Sequence, residues 1–79
     1  MWRVPSAPPP DWVIARRRAL GDRIRELRRA RKLTQEKLAD LAGMDRQAIN
    51  RIEQGHQRVL LDNLIQILAA LDASFGDLD

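Results

Sequence analysis

Apolar residues recur at helical spacing through most of this chain. From Asp11 to about Arg31, the positions Val13, Leu20, Ile24 and Leu27 form one stripe, which predicts a long first helix. Asp11, following the prolines, is placed to cap it. Gly21 interrupts the pattern, because glycine costs ~1 kcal/mol against alanine inside a helix. Leu38, Leu41 and Ala42 predict the inward face of a short second helix opened by Thr34 and stopped by Gly43. Lys37 stands where a capping box would need Glu or Gln, so Thr34 is expected to cap without a reciprocal partner. Asp45 then caps a third helix reaching about Gln54, and Gly55 ends it. A fourth helix covers roughly residues 61–71, and Ser74 caps a last turn that inserts Phe75 and Leu78. No segment alternates with period two over strand length, so the expected fold class is all-α, a bundle of four or five helices.

Residues 1–10 hold all four prolines, and Pro8-Pro9-Pro10 favours extended polyproline II geometry. That stretch reads as a proline-rich flexible arm, with residues 11–79 as one helical domain. Trp2 and Trp12 flank the prolines, and Trp12 is expected to pack on the body of the domain.

The 79 residues include no cysteine, so neither a disulfide nor a cysteine-based zinc site supports the thin core of so small a domain. The single histidine, His56, has no ligand cluster around it, and metal and cofactor are both expected to be none. The two serines, Ser6 and Ser74, sit in a tail and a cap, and no glycine-rich phosphate loop is present, so the chain is not expected to be an enzyme. No stretch approaches the ~20 apolar residues of a membrane span, and the N-terminus lacks a signal-peptide core. A cytoplasmic location without membrane contact is the expectation. The net charge is +3, and among the fourteen basic residues only Lys32 and Lys37 are lysine. Arginine's planar fork suits phosphates and guanine edges better than lysine's point charge.

Two short helices joined at a glycine describe a helix-turn-helix, in which the second helix enters the major groove of DNA. At ~100° per residue, Arg46, Gln47, Asn50, Arg51 and Gln54 share an arc of roughly 140°. Ala48, Ile49 and Ile52 lie opposite. The polar face has no acidic residue. Arginine pairs bidentately with guanine, and glutamine or asparagine with adenine, so this face is built from groups that read bases.

The stretch Thr34-Gln35-Glu36-Lys37-Leu38-Ala39, Gly43, and Ile49-Asn50-Arg51-Ile52-Glu53-Gln54-Gly55 resembles the Xre-type helix-turn-helix family, which is phage-repressor (lambda-repressor-like) and Cro-like. The resemblance spans about residues 20–78 and implies the same four- to five-helix bundle. By that resemblance Arg46, Gln47 and Arg51 contact bases, with Asn50 beside them. Gln35 clamps a phosphate with its amide, and Gln54 holds another. His56 follows in a loop near phosphate. Arg28 and Glu53 stand where relatives form a buried ion pair between the first and third helices. Val59 and Leu60 replace a Pro-Ser pair that many relatives carry, and Asp72 replaces a glycine, which puts the caps of the fourth helix in question.

On the fourth helix Leu61, Leu64, Ile65 and Leu68 are expected to face the core. Leu60, Ile67 and Leu71 widen the apolar arc and are expected to meet a second copy, since most homo-oligomers are two-fold dimers. The partner that follows is double-stranded DNA, bound by a homodimeric transcriptional regulator that represses by occluding a promoter. An antitoxin that neutralises a toxin protein while repressing its own promoter is the alternative, and an RNA-binding or bridging role a third. With no separate sensing domain in the sequence, control is expected to come from abundance, oligomerisation or a protein partner.

Overall fold

The computed structural model describes residues 8–79, so most of the proline-rich arm expected over residues 1–10 lies outside the described residues. Pro10, at φ −57° and ψ 153°, has the polyproline II backbone expected of it and also serves as the N-cap of the first helix. Its carbonyl accepts from the backbone N–H of Val13 and Ile14. Asp11 is therefore the first helical residue and not the cap: its carboxylate favours the positive end of the helix without a capping hydrogen bond.

Among the described residues four α-helices follow in order: α1 (Asp11–Ala30), α2 (Gln35–Ala42), α3 (Arg46–Gln54) and α4 (Leu61–Ala70), then a 3-10 turn, Phe75–Leu78. No strand occurs among the described residues. Helix α1 packs on α3 and the 3-10 turn, while α2 packs on α3 and α4. The core comprises Ile24 of α1, Leu38, Ala39 and Ala42 of α2, Ile49 and Ile52 of α3, Ile67 and Leu68 of α4, and Leu71 and Leu78. No helix among the described residues is long and apolar enough to cross a membrane.

Helix α1 runs unbroken through Gly21 because that glycine lies at the crossing with α3. A Cβ there would collide with the carbonyl oxygens of Ile52 and Glu53, the latter at 2.6 Å. The helix accepts a poor helix former in exchange for close backbone approach.

All four helices end alike. Lys32, Gly43, Gly55 and Asp72 take left-handed backbone conformations. The following residue then donates back across the cap: Leu33 to Arg28, Met44 to Ala39, His56 to Arg51 and Ala73 to Leu68, each through backbone N–H and carbonyl. Asp72 keeps the left-handed geometry usually given to glycine, and Leu60 caps α4 with no side-chain hydrogen bond. Thr34 Oγ1 accepts from Lys37 N at 3.0 Å, whereas Asp45 caps α3 with backbone geometry alone. After α4, Asp77 Oδ2 accepts from the Ser74 backbone N–H at 2.8 Å and closes the 3-10 turn.

The orientation of α4 differs from the sequence expectation. Ile67 and Leu71 are fully buried, so they line the core and offer no surface to a second copy. Leu61 and Ile65, expected in the core, are exposed, as is Leu60. Asp62, Asn63 and Gln66 mark the polar side of α4, but the apolar arc opposite them spans roughly 160° at ~100° per residue, wider than the face that packs, and the buried part is the side carrying Ile67 and Leu68. Leu41 and Phe75, also expected to point inward, are about half exposed, and Leu78 alone anchors the last turn. Trp12 is 72% exposed at the rim of an apolar groove of about 370 Å³ whose floor includes Leu20, Ile24, Ile52 and Leu64.

Candidate nucleic-acid interface

Helix α3 is held from behind. Ile49, Ile52 and Glu53 are buried against α1 and α2, which turns Arg46, Gln47, Arg51 and Gln54 outward as exposed residues, with Asn50 half-buried among them. The turn from α2 to α3 passes through the left-handed Gly43 and the half-buried Met44. Arg46, Gln47 and Arg51 enter no side-chain hydrogen bond or ion pair among the described residues, so their donors remain available to a ligand.

The support beneath this face is a buried charge network. Arg28 donates from Nε to Glu53 Oε2 at 2.7 Å and from Nη2 to Glu53 Oε1 at 3.0 Å, a bidentate pair joining α1 to α3. Its remaining Nη1 donates to the Leu33 carbonyl at 2.8 Å, and Arg25 Nε stands 3.5 Å from Glu53 Oε1. No buried side-chain polar atom among the described residues lacks a partner. Burying two charges is affordable only under such full pairing.

Gln35 joins the network from the start of α2. Its Nε2 donates to Asn50 Oδ1 at 3.1 Å and to Glu53 Oε1 at 3.2 Å, so both amide hydrogens point into the protein. The side-chain amide thereby joins α2 to α3 in this structure. Gln54 Nε2 also donates to Asn50 Oδ1, at 3.4 Å, across one turn of α3. His56 is exposed just beyond the α3 cap, where its backbone N–H is used by Arg51.

The arginines of α1 do more than cover its outer faces. Arg23 Nε donates to the Asp77 carbonyl at 2.6 Å, and Arg25 Nη2 to the Glu53 carbonyl at 3.3 Å. Arg31 donates to the carbonyls of Leu71 and Asp72. These guanidinium groups satisfy carbonyls at the carboxyl ends of other elements, which have no partner within their own helix. Periodicity registers such residues only as polar and outward. Arg29 was not singled out by pattern, yet it lines an open cleft with Thr34, Gln35, Glu36 and Arg46 at the start of α2. Arg29 and Arg46 are exposed there, with the exposed Glu36 between them in the lining. No cluster of acidic, histidine or cysteine side chains suited to a metal ion occurs among the described residues.

The sequence pattern that defines the helix-turn-helix family matches residues 24–78. Among solved structures, the restriction-modification controller protein C.AhdI from Aeromonas hydrophila is 40% identical, with a TM-score of 0.79 over 82% of this chain and 98% of its own. The clp gene regulator ClgR from Corynebacterium glutamicum is 29% identical, with a TM-score of 0.78 over 92% of this chain and 88% of its own. An HTH_3 family transcriptional regulator from Vibrio cholerae is 25% identical, with a TM-score of 0.77, over 82% of this chain and 36% of its own. No curated protein sequence matches the chain.

Proposed function

The chain belongs to the Xre-type helix-turn-helix family, and from that premise we propose that it is a sequence-specific regulator of transcription in the cytoplasm. It binds double-stranded DNA as a homodimer with α3 in the major groove, and represses by occluding a promoter. It acts by binding and not by catalysis. The observation that carries the reading is the outer face of α3, where Arg46, Gln47 and Arg51 project exposed donors above a buried charge network.

In this reading Arg46, Gln47 and Arg51 meet base edges, and Arg29 and Gln54 meet phosphates beside them. Phosphate contacts set register, and base contacts set sequence preference. Dimer formation is supported by the exposed apolar side chains of Leu60, Leu61 and Ile65 at the start of α4. A two-fold pair would space its recognition helices ~34 Å apart and read a near-palindrome. The antitoxin alternative is not favoured by the similar structures, which are a controller and regulators.

Selection of bound duplexes from a random DNA pool, at one fixed salt concentration, tests the proposal, because phosphate affinity falls steeply with salt. Enrichment of a two-fold-symmetric motif is the expected result. Recovery of no motif by a folded protein would remove the base-reading function.

A further inference from the structure

The Arg28–Glu53 pair fixes the direction of each hydrogen bond that leads from it to the outer face of α3. A guanidinium only donates and a carboxylate only accepts. Glu53 Oε1 therefore takes a hydrogen from Gln35 Nε2 at 3.2 Å. The Gln35 carboxamide cannot be turned over, since its own oxygen would then face the carboxylate. The second hydrogen of the same nitrogen goes to Asn50 at 3.1 Å, so Asn50 must present Oδ1 inward. Gln54 Nε2 donates to that oxygen as well, at 3.4 Å. Both lone pairs of Asn50 Oδ1 are thus used. The two hydrogens of its Nδ2 have no acceptor among the described residues.

We infer that Asn50 meets DNA as a donor only and selects guanine, although asparagine ordinarily reads adenine. The inference rests on the reading of α3 as the base-reading helix. Adenine recognition needs an acceptor for N6–H and a donor to N7 from the same amide. Here the acceptor is occupied. Guanine offers two acceptors, N7 and O6, which match the two free hydrogens of Asn50 Nδ2. The buried ion pair thereby reaches a base it does not touch, through Gln35 as a positioning residue.

Duplex selection with the full chain and three variants tests this. Asn50→Ala identifies the base pair in question as the one whose preference it flattens. The wild-type protein is expected to hold a G·C pair there. Gln35→Leu removes the inward donor and frees Asn50 Oδ1, so adenine is expected to gain on guanine about tenfold at that pair, the lower end of the discrimination a bidentate contact gives. Asn50→Asp keeps an oxygen for Gln35 and Gln54 but turns a second acceptor outward. It should weaken binding to the wild-type site by more than about tenfold on the same scale, and it carries the test if Gln35→Leu does not fold. An A·T pair in the wild-type motif, an Asn50→Ala profile that flattens no position, or an unchanged preference in Gln35→Leu would each overturn the inference while leaving α3 as the reading helix. A folded wild-type protein that selects no motif would overturn the base-reading function itself.

Discussion

Gly21 of α1 and Glu53 of α3 meet backbone to backbone: a Cβ added to Gly21 would stand 2.6 Å from the Glu53 carbonyl oxygen. The same added atom would clash with the Ile52 carbonyl. Gly21→Ala would gain about 1 kcal/mol of helix propensity. The clash outweighs that gain, because neither carbonyl belongs to a flexible side chain and overpacking costs about 1–3 kcal/mol or more. A lower urea midpoint for Gly21→Ala is therefore expected, and an unchanged or raised midpoint would contradict the close crossing.

Removing one member of the Arg28–Glu53 pair should be far worse than removing both. Glu53 is fully buried, so Arg28→Met leaves a charge with too few donors and is expected to cost about 3–5 kcal/mol. The combined Arg28→Met, Glu53→Leu replacement should recover much of that loss, since apolar substitutes for a buried pair are often neutral. Denaturant unfolding of the single and combined variants measures the difference.

Sequence pattern revealed the part of the molecule whose chemistry is local. Thr34, Gly43 and Gly55 announce their helix ends because caps and left-handed turns demand particular residues. The Arg28–Glu53 pair follows from the resemblance, and the structure supplies its distances. The phase of α4 was legible only in part: Asp62, Asn63 and Gln66 mark its outer side, but Leu60, Leu61, Leu64, Ile65, Ile67, Leu68 and Leu71 fill an arc of roughly 160°, and packing decides which of them are covered. Gln35 and Asn50 were legible as residue types but not in their orientation, which depends on a carboxylate eighteen residues from Gln35 in the chain.

Two of the four left-handed caps carry a side chain, at Lys32 (φ 57°) and Asp72 (φ 52°). That backbone costs a residue with a Cβ about 1–2 kcal/mol, partly offset because glycine loosens the unfolded chain. Lys32→Gly should raise stability by about 0.5–1 kcal/mol. Asp72→Gly should gain less, because aspartate tolerates this conformation better than lysine. Thermal unfolding of each variant decides the order.

The orientation of α4 lets the proposed dimer be tested apart from folding. Leu61→Glu and Ile65→Glu place charge on exposed positions, and sedimentation is expected to show the mass of a monomer with helicity retained. Ile67→Glu buries a charge in the core and should abolish the fold instead. Both surface variants sedimenting as dimers would exclude this face as the subunit contact.

The Asp77 carboxyl is held below its ordinary value of 3.8, mainly by the hydrogen bond from the Ser74 backbone and further by the Ser74 hydroxyl, Arg23 and Arg31. A carboxyl so lowered stabilises the folded chain above its unfolded pKa. That contribution fades as pH falls through the folded value. Asp77→Asn should therefore flatten the stability curve as pH falls below the ordinary value of 3.8, measured by circular dichroism during acid titration. An identical slope in wild type and variant would show that the turn does not sense its own charge.

Because Arg46, Gln47 and Arg51 touch nothing else by hydrogen bond or ion pair among the described residues, they form a replaceable keypad on a fixed chassis. A library randomised at those codons should remain almost uniformly foldable while its members disperse over many operators. Asn50 is the one key wired through to the chassis. On the proposed reading, retargeting this protein at Asn50 would require rewiring Gln35 and Glu53 with it, whereas the other positions are free to drift.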